Sequence, residues 1–281
     1  MLPRFVYYFL KNLQEKIYNL KQGAGVPNVK GKSLAKLLIP IPPLEIQNKI
    51  VKILDTFTEL EAELEAELEA RKKQYQYYRD TLLTFDENTR GGVKWITLGE
   101  IGNIKMCRRI FKSQTTSSGE IPFFKIGTFG GLPDAFIPRK LYDLYREKYP
   151  FPKKGDILIS AAGTIGRAIP YSGDDSYYQD SNIVWLDNDE SMVSNRYLQY
   201  WYQVVEWTTD GGTISRLYNK NLQKTRIAVP TFDEQELIVS ILDKFDSLVN
   251  DLSIGLPAEI KARRQQYEYY RDKLLTFKEA A

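Results

Sequence analysis

The sequence predicts a mixed α/β (α+β) domain joined to two long antiparallel helices of coiled-coil type. A duplication predicts the helices: Ala70–Phe85 and Ala262–Phe277 are identical at 12 of 16 positions, 192 residues apart. A second pair of similar blocks precedes the first pair. Pro42–Phe57 lies before one copy and Pro230–Phe245 before the other, 188 residues apart. Short apolar runs bounded by turn residues, between the helices, predict the mixed domain. A repeat of this length indicates one structural unit present twice.

The first long helix is expected at residues 44–85, from about Leu44 to Phe85. Prolines directly before it suit a helix start. The apolar residues that follow stand three or four apart, with Arg71 at the one vacant step, and form the narrow stripe of a helix that pairs along its length: Ile50, Leu54, Phe57, Leu60, Leu64, Leu68, Tyr75, Tyr78, Leu82 and Phe85. Its middle, Glu59–Ala70, repeats Glu-Leu-Glu-Ala three times, and each further repeat would lengthen the helix by about 6 Å.

The final segment, 231–281, is expected to supply the partner helix, from about Asp233 to Phe277. It carries a matching apolar stripe: Ile238, Leu242, Phe245, Leu248, Leu252, Ile260, Tyr267, Tyr270, Leu274 and Phe277. Gly255-Leu256-Pro257 should kink or break this helix, whereas the first helix has no such break. The linking domain leaves and returns at one end, which favours an antiparallel pair. Tyr77 and Tyr269 lie off the stripe and are expected to pack either on the central domain or on a partner subunit.

Residues 1–43 are expected to be the C-terminal remnant of a first domain like the central one. Seven of their residues align with the end of the central domain at the same offset of 188: Gly23, Val26, Lys32, Leu34, Lys36, Ile39 and Pro42 with Gly211, Ile214, Lys220, Leu222, Lys224, Ile227 and Pro230. A helix at Arg4–Leu13 would correspond to Arg196–Val205.

The central domain is expected at residues 93–230, after a polar linker at Asp86–Gly92. Strand-like runs stand at Ile121–Ile126, Gly155–Ser160 and Ile183–Leu186, and a helix rich in Tyr and Trp is predicted at Asn195–Thr208.

Composition argues against an enzyme. The chain has no histidine and one cysteine, Cys107, so catalytic triads that use histidine, disulfides within the chain and cysteine-based zinc clusters are excluded. The lone cysteine suits a cytoplasmic protein. The net charge is only +3, but Glu59–Glu69 holds six glutamates while Lys105–Lys125 holds five basic residues and one glutamate. A surface that binds nucleic acid is therefore expected on the central domain.

With these motifs the chain resembles the specificity subunit of type I restriction-modification systems. The resemblance rests on the blocks around Gln47 and Gln235, the two QYxYYRDxLLTF helix ends, and Lys154–Arg167 (KGDILISAAGTIGR). The family alternates recognition domains with long helices, and the number of tetrapeptide repeats alters the spacing of its DNA target. This chain departs from the pattern because it carries one complete recognition domain and the tail of another, like a half subunit.

The resemblance implies a non-catalytic subunit that reads one half of a bipartite target in double-stranded DNA. Methylation subunits, and restriction subunits through them, would supply all catalysis, so the chain itself would bind no S-adenosylmethionine, ATP or metal. With one complete recognition domain, two chains are expected to pair through their helices as a homodimer with two-fold symmetry. The alternative is a non-enzymatic module in which the paired helices recruit other proteins, although the basic loops are then unexplained.

DNA contacts are expected from polar and basic side chains in loops, since groove edges and phosphates are read by such groups. The candidates are Arg108, Arg109, Lys112, Gln114, Lys125, Thr128, Arg167, Thr213, Arg216, Tyr218 and Lys220. For any one of them a role as a surface residue or turn former remains open. Gly163–Gly166 is expected to be a tight turn rather than a phosphate-binding loop. The acidic group at Asp187, Asp189 and Glu190 is expected to be a solvated turn rather than a metal site.

Overall fold

The computed structural model describes residues 1–22, 28–85, 92–209 and 215–277. The chain divides into two compact units, of which the first combines Met1–Gln74 with Phe245–Ala281 and the second is Tyr75–Lys244. None of the helices in the described ranges has the length and apolarity that a membrane crossing requires.

The first unit contains both ends of the chain. Its elements up to the first long helix are α1 (Pro3–Asn12), α2 (Gln14–Tyr18), β1 (Lys21–Gln22), β2 (Asn28–Val29), α3 (Gly31–Leu34) and the greater part of α4 (Leu44–Leu82). β1 and β2 pair antiparallel. The core of this unit is formed where α1 packs on the start of α4 and on the chain end, and its buried residues are Phe5, Tyr8, Phe9, Ile50, Leu54 and Leu275.

The second unit contains the mixed domain. Its elements are β3 (Lys94–Thr97), α5 (Leu98–Ile101), β4 (Asn103–Lys105), a 3₁₀ turn (Lys112–Gln114), β5 (Ile121–Phe124), β6 (Phe136–Ile137), α6 (Arg139–Lys148), β7 (Ile157–Ser160), β8 (Ala168–Pro170), β9 (Tyr177–Tyr178), β10 (Ile183–Asp187), α7 (Asn195–Trp201), α8 (Asn219–Lys224) and β11 (Arg226–Val229). The chain then continues through α9 (Phe232–Asn250) and α10 (Leu256–Leu274), which bring it back into the first unit.

The described strands of the mixed domain form three small sheets. The largest has the antiparallel order β4-β10-β7-β8, with β10 and β7 in the middle. Its central strands, Ile157–Ser160 and Ile183–Asp187, are almost wholly buried, as expected for apolar β-branched runs. A second sheet has the order β6-β5-β9, and β11 pairs with β3. The predicted strands at 121–126, 155–160 and 183–186 are confirmed within two residues of their ends.

Aromatic side chains fill the core of the mixed domain. Tyr177 packs against Phe123, Tyr145 and Phe151, with ring centroids 5.9–6.4 Å apart. Burial raises the pKa of Tyr178 to about 12 and the pKa of the Cys107 thiol to about 12. Cys107 therefore stays a neutral thiol near neutral pH, because the thiolate is the costly form in an apolar core.

The helix predicted at Asn195–Thr208 is wrong in length, since α7 ends at Trp201. The next residues tighten into bonds of 3₁₀ type, with Gln203 N donating to Tyr200 O. Trp207 then packs against the ring of Tyr202 at 5.6 Å and is half-buried outside the helix. Tertiary packing has overridden helical periodicity here.

The long helices run antiparallel, as predicted. Phe57 of α4 packs against Tyr267 and Tyr270 of α10, with ring centroids 6.3 and 5.6 Å apart. Further along α4, Glu61 and Glu65 both bind Arg264, whose position lies earlier in α10. As residue numbers rise along α4, those of its partners fall along α10.

The break predicted at Gly255–Pro257 is confirmed, since α9 ends at Asn250 and α10 begins at Leu256. Pro257 lies in the first turn of α10, where a missing N–H costs nothing. The placement of Leu252 on the apolar stripe is wrong: its side chain is 79% exposed, and Val249 is buried instead. The periodicity could not anticipate this, because the turn at 251–255 resets the helical register.

The duplicated blocks form the same hydrogen-bonded cluster twice. In the first unit, Asp55 of α4 accepts bonds from Arg4 and Tyr8 of α1. In the second unit, Asp243 of α9 accepts bonds from Arg196 and Tyr200 of α7. The two sets stand 188 and 192 residues apart, so the repeat seen in the sequence is also a repeat of structure.

Candidate nucleic-acid interface

Several loops of the mixed domain meet along the segment Gln179–Asn182, which directly precedes β10. Arg109 donates from Nε to Asp180 Oδ2 at 2.8 Å, and Arg216 donates from Nη2 to Ser181 O at 2.8 Å. Ile126 N donates to Gln179 Oε1 at 2.9 Å. One short segment therefore holds loops that are far apart in the sequence.

The turn between β7 and β8 joins the same edge. Ala161 N donates to Asn182 O at 2.7 Å, and Arg216 forms a β-bridge with Ala162. Arg167, at the end of this turn, donates from Nη1 to Phe129 O at 2.6 Å. We call the resulting surface the basic edge and define it by Arg109, Lys112, Lys125, Arg167 and Arg216.

Gly163–Gly166 forms the tight turn that was predicted. Gly163 has a φ of 66° and Gly166 a φ of 81°, which side chains rarely adopt. Gly166 N donates to Ser160 O at 2.9 Å. A Cβ atom on Gly166 would lie 2.2 Å from Nε1 of Trp207, so glycine is required there for space as well as for conformation.

Carbonyl and carboxylate oxygens bind four of the five cations of the basic edge. Lys125 pairs with Asp134 at 2.8 Å, and Arg109 pairs with Asp180 while 61% of its own side chain stays exposed. Arg167 and Arg216 bind backbone carbonyls. A guanidinium has five N–H donors, so one such bond orients the group and leaves other N–H donors available for a ligand. The arginines are thus held in defined orientations, as recognition of base edges or phosphates requires.

Open clefts separate these cations. Lys112 and Lys125 line a cleft of about 490 Å³ together with Asp134 and Gln179. A smaller cleft of about 230 Å³ has Arg167 and Thr164 in its wall. Lys112 is exposed at the start of the 3₁₀ turn. Within the described ranges it takes part in no ion pair, which leaves its ammonium group to solvent.

The remaining predicted residues fall into different classes. Gln114 accepts a bond from Phe111 N at 2.9 Å, and Thr128 accepts one from Lys125 N at 3.1 Å, so both close their own turns. Arg108 lies over the ring of Tyr149 at 5.2 Å, in a cleft that Arg109 also lines. Tyr218 and Lys220 are exposed at the start of α8. Thr213 lies outside the described residues.

The prediction missed the acceptors that organise the edge, Asp180, Ser181 and Asp134. Ser181 has a φ of 54°, an uncommon conformation for a residue with a side chain. A signal existed, since Gln-Asp-Ser-Asn at 179–182 is a polar run inserted between two apolar strands.

Asp187, one of the three residues of the predicted acidic turn, forms ion pairs with two lysines. Asp187 pairs with Lys105 at 2.9 Å and with Lys153 at 3.8 Å, and the hydrogen bond from Lys105 is the largest cause that lowers its pKa. Within the described ranges, no group of three Cys, Asp or Glu side chains is placed to hold a metal ion.

Exposed aromatic residues recur on both long helices. Tyr77 and Tyr78 of α4 pack edge to face at 5.5 Å, and their counterparts Tyr269 and Tyr270 of α10 do so at 5.3 Å. All four remain exposed. Paired exposed tyrosines at two equivalent positions are typical of contact sites for a protein partner.

Comparisons with known proteins point to one family. Residues 2–70 and 91–262 match the model of the type I restriction modification DNA specificity domain. A chain of Haemophilus influenzae, named as a type I restriction enzyme specificity subunit, is 51% identical over 291 residues, covering 98% of this chain and 72% of that one. A type I restriction enzyme specificity subunit of Escherichia coli is 35% identical, covering 98% of this chain and 71% of that one.

Solved structures share the fold. The S subunit of a type I restriction-modification system from M. genitalium has a TM-score of 0.59 at 19% identity and covers 98% of this chain and 73% of that one. The HsdS subunit from Thermoanaerobacter tengcongensis has a TM-score of 0.55 at 20% identity, with coverages of 98% and 70%. The predicted fold class, a mixed domain with two long antiparallel helices, is confirmed.

Proposed function

Because the chain belongs to the type I restriction-modification DNA specificity family, we propose that its mixed domain reads one half of a bipartite DNA target. The observation that carries this proposal is the basic edge, where acceptors from distant parts of the sequence hold three arginines in defined orientations. In this role the chain is a non-catalytic, cytoplasmic subunit that positions the catalytic subunits on DNA.

The basic edge suits both parts of DNA recognition. Arg167 and Arg216, each held by a backbone carbonyl, present planar guanidinium groups of the kind that bind guanine edges with two hydrogen bonds. Lys112 and Lys125 are flexible point charges that suit phosphates. Lys125 and Arg109 each give up an ion pair with a carboxylate when they bind DNA. Because this loss offsets part of the charge attraction, binding depends more on the contacts that a particular DNA sequence offers.

We further propose that methylation subunits dock on the helices, with restriction subunits joining through them. The exposed tyrosine pairs Tyr77–Tyr78 and Tyr269–Tyr270 support this, since two equivalent surfaces suit two copies of one partner.

Homodimerisation through the helices is also proposed. Leu60, Leu64 and Leu68 of the α4 stripe are only half-buried within one chain, so apolar surface remains for a second copy. Such a dimer would present two recognition domains in two-fold symmetry. A monomer at micromolar concentration in analytical ultracentrifugation would contradict this part.

We also propose that residues 1–43 are the end of a first recognition domain, and the exposure of two apolar residues in this segment supports the assignment. Leu34 is 39% exposed while its counterpart Leu222 is fully buried, and Ile41 is 72% exposed while its counterpart Val229 is buried. Val229 lies in β11, which pairs with β3. A recognition domain would cover residues 34–41 in the same way.

The test is to co-express the chain with a methylation subunit of the same source and to map modified bases in the host genome. A bipartite motif with two identical inverted halves supports both DNA reading and the dimer. A motif with unlike halves supports DNA reading but means that a different half subunit is the partner. If a complex forms and no motif is modified, the chain does not read DNA, and the alternative role of a protein-interaction module is favoured.

A further inference from the structure

The two duplicated helical stretches differ in length by one turn of helix. Between Phe57 and Ala70 lie twelve residues, 58–69, and between their counterparts Phe245 and Ala262 lie sixteen residues, 246–261. The shorter stretch consists almost entirely of the tetrapeptide repeat. The difference of four residues equals the length of one repeat.

The extra residues leave the helix. α4 runs without interruption through the repeat, whereas α9 and α10 are separated by Asp251–Gly255. Leu252 and Ile254 in this turn are 79% and 78% exposed. Apolar side chains so exposed gain nothing from the turn, which therefore holds spare length rather than a packing contact.

The turn is closed by its own hydrogen bonds. Gly255 N donates to Asp251 O at 3.1 Å, and Asp251 Oδ1 accepts from Ser253 N at 2.7 Å and from Ile254 N at 3.2 Å. Gly255 packs directly on the backbone of the last turn of α9. A Cβ atom there would lie 2.5 Å from Ser247 O and 2.8 Å from Asp251 O, so the closed turn requires glycine.

α10 is held against α4 independently of this turn. Arg264 binds Glu61 and Glu65, which occupy the same place in two successive repeats, at 2.5 Å each. Ile260 is buried beside them, and Tyr267 packs on Phe57. Opening the turn would leave these contacts intact.

We propose that Asp251–Gly255 is a stored turn that lets the second helical stretch lengthen by one tetrapeptide when α4 gains a repeat. One repeat adds about 6 Å of rise and about 40° of rotation. Five residues span about 7.5 Å as helix and up to about 17 Å when extended, so the link can supply both changes. With a fourth repeat, the two stretches would contain equal numbers of residues.

The device is asymmetric. When α4 gains a repeat, the residues of the turn become part of the second helical stretch. When α4 loses a repeat, four more residues of α9 or α10 must leave regular helix and lose their hydrogen bonds. Repeat number can therefore rise by one without redesign of the partner helix. Only the consequence of this inference, a change in the spacing of the DNA half-sites, rests on the proposed function. The change in helix length follows from the helices alone.

The experiment compares full-length chains with two, three and four repeats, each with and without Gly255→Ala, by thermal unfolding. Gly255→Ala should lower the Tm of the three-repeat chain by roughly 3 °C or more, because it opposes the closed turn. It should change the Tm of the four-repeat chain by less than about 1 °C. Gly31→Ala, which places its Cβ in open space, is the matched control and should act equally in all chains.

Amide hydrogen exchange gives a second readout. Ser253 N and Ile254 N, which donate to the Asp251 side chain in the three-repeat chain, should exchange more slowly in the four-repeat chain, where these residues join regular helix. Equal effects of Gly255→Ala on the three- and four-repeat chains would overturn the proposal, as would a four-repeat chain that fails to fold or a two-repeat chain that is as stable as the four-repeat chain. Failure of DNA binding would not affect these readouts, so the two proposals fail separately.

Discussion

Gln47 and Gln235 occupy equivalent buried sites at the first turns of α4 and α9. Each donates from Nε2 to the carbonyl of the proline five residues before it, at 2.7 Å for Pro42 and 3.0 Å for Pro230. Each also accepts a backbone N–H from the segment that packs on its helix, Leu2 in one case and Ser194 in the other. A polar side chain is retained in both cores because it satisfies backbone groups that would otherwise be buried without a partner.

Replacing these glutamines should destabilise the chain unequally. Gln235→Ala should lower the free energy of unfolding by about 2–3 kcal/mol, because it also loses a bond to Met192 O and leaves three backbone groups, one of them fully buried, without this partner. Gln47→Ala should have a smaller effect, about 1–2 kcal/mol. Urea denaturation measures both, with the exposed Gln76→Ala as control. Equal effects would contradict the role given to Met192.

The Tyr8–Asp55–Arg4 cluster should make stability depend on pH. Partial burial alone would raise the pKa of Asp55, but hydrogen bonds from Tyr8 and Arg4 outweigh it and hold the pKa below its usual range. A carboxyl whose pKa is lower in the folded state stabilises the fold above its unfolded pKa, near 3.8, and loses that contribution as pH falls through the folded value.

The variant Asp55→Asn should therefore be less stable than the unmodified chain at pH 7, and the difference should shrink below about pH 4. Urea denaturation at pH 7, 5 and 3 measures it. Glu63→Gln, on the exposed face of the repeat, is the control. A difference that stays constant across this range would show that the carboxylate charge is not what stabilises the cluster.

The salt dependence of DNA binding should report phosphate contacts at the basic edge. Lys112→Ala should reduce the slope of log K against log salt by about 0.9, the value for one phosphate contact. Lys125→Ala should have a smaller effect, because Lys125 gives up its ion pair with Asp134 to bind DNA. Fluorescence anisotropy between 50 and 200 mM salt suits the measurement, with Lys52→Ala in α4 as control. Unchanged slopes for both lysines would remove them from the interface.

The turn between β7 and β8 should tolerate alanine at one glycine better than at the other. Gly166→Ala should lower the free energy of unfolding by about 2–4 kcal/mol, since both its φ and its contact with Trp207 exclude a side chain. Gly163→Ala should cost about 1 kcal/mol, because its Cβ would approach only Ile126, at 3.4 Å. Chemical denaturation of both variants tests the order, and the reverse order would contradict the close packing at Trp207.

The tyrosine pairs should contribute to docking of methylation subunits without contributing to folding. Tyr77→Ala and Tyr269→Ala should each weaken binding of the methylation subunit about tenfold, as expected for aromatic contact residues. Neither should change the Tm by more than about 1 °C, because both side chains are exposed. Calorimetric titration measures the affinity. Tyr18→Ala, exposed on α2, is the matched control, and equal losses for all three variants would argue against a specific site.

The sequence by itself determined the architecture of this protein. The duplicated blocks, the three-and-four spacing and the flanking prolines are local patterns that predict the long helices, and Gly255-Leu256-Pro257 predicts the break. The antiparallel pairing followed from the order of the segments, with one domain linking the two helices. Strand positions in the mixed domain followed from short apolar runs between turn residues. The duplication also predicted which parts of residues 1–43 would match the end of the mixed domain.

Tertiary structure alone decided the register after the break, the end of α7 and the arrangement of the basic edge. Leu252 left the stripe because a turn closed by Asp251 reset the helix, and α7 ends at Trp201, after which Trp207 packs on Tyr202 outside the helix. Arg109, Arg167 and Arg216 were visible as cations in loops, but their acceptors lie 35–71 residues away in the sequence. Contacts between residues so far apart in sequence depend on how sheets and loops pack, and local periodicity carries no information about them.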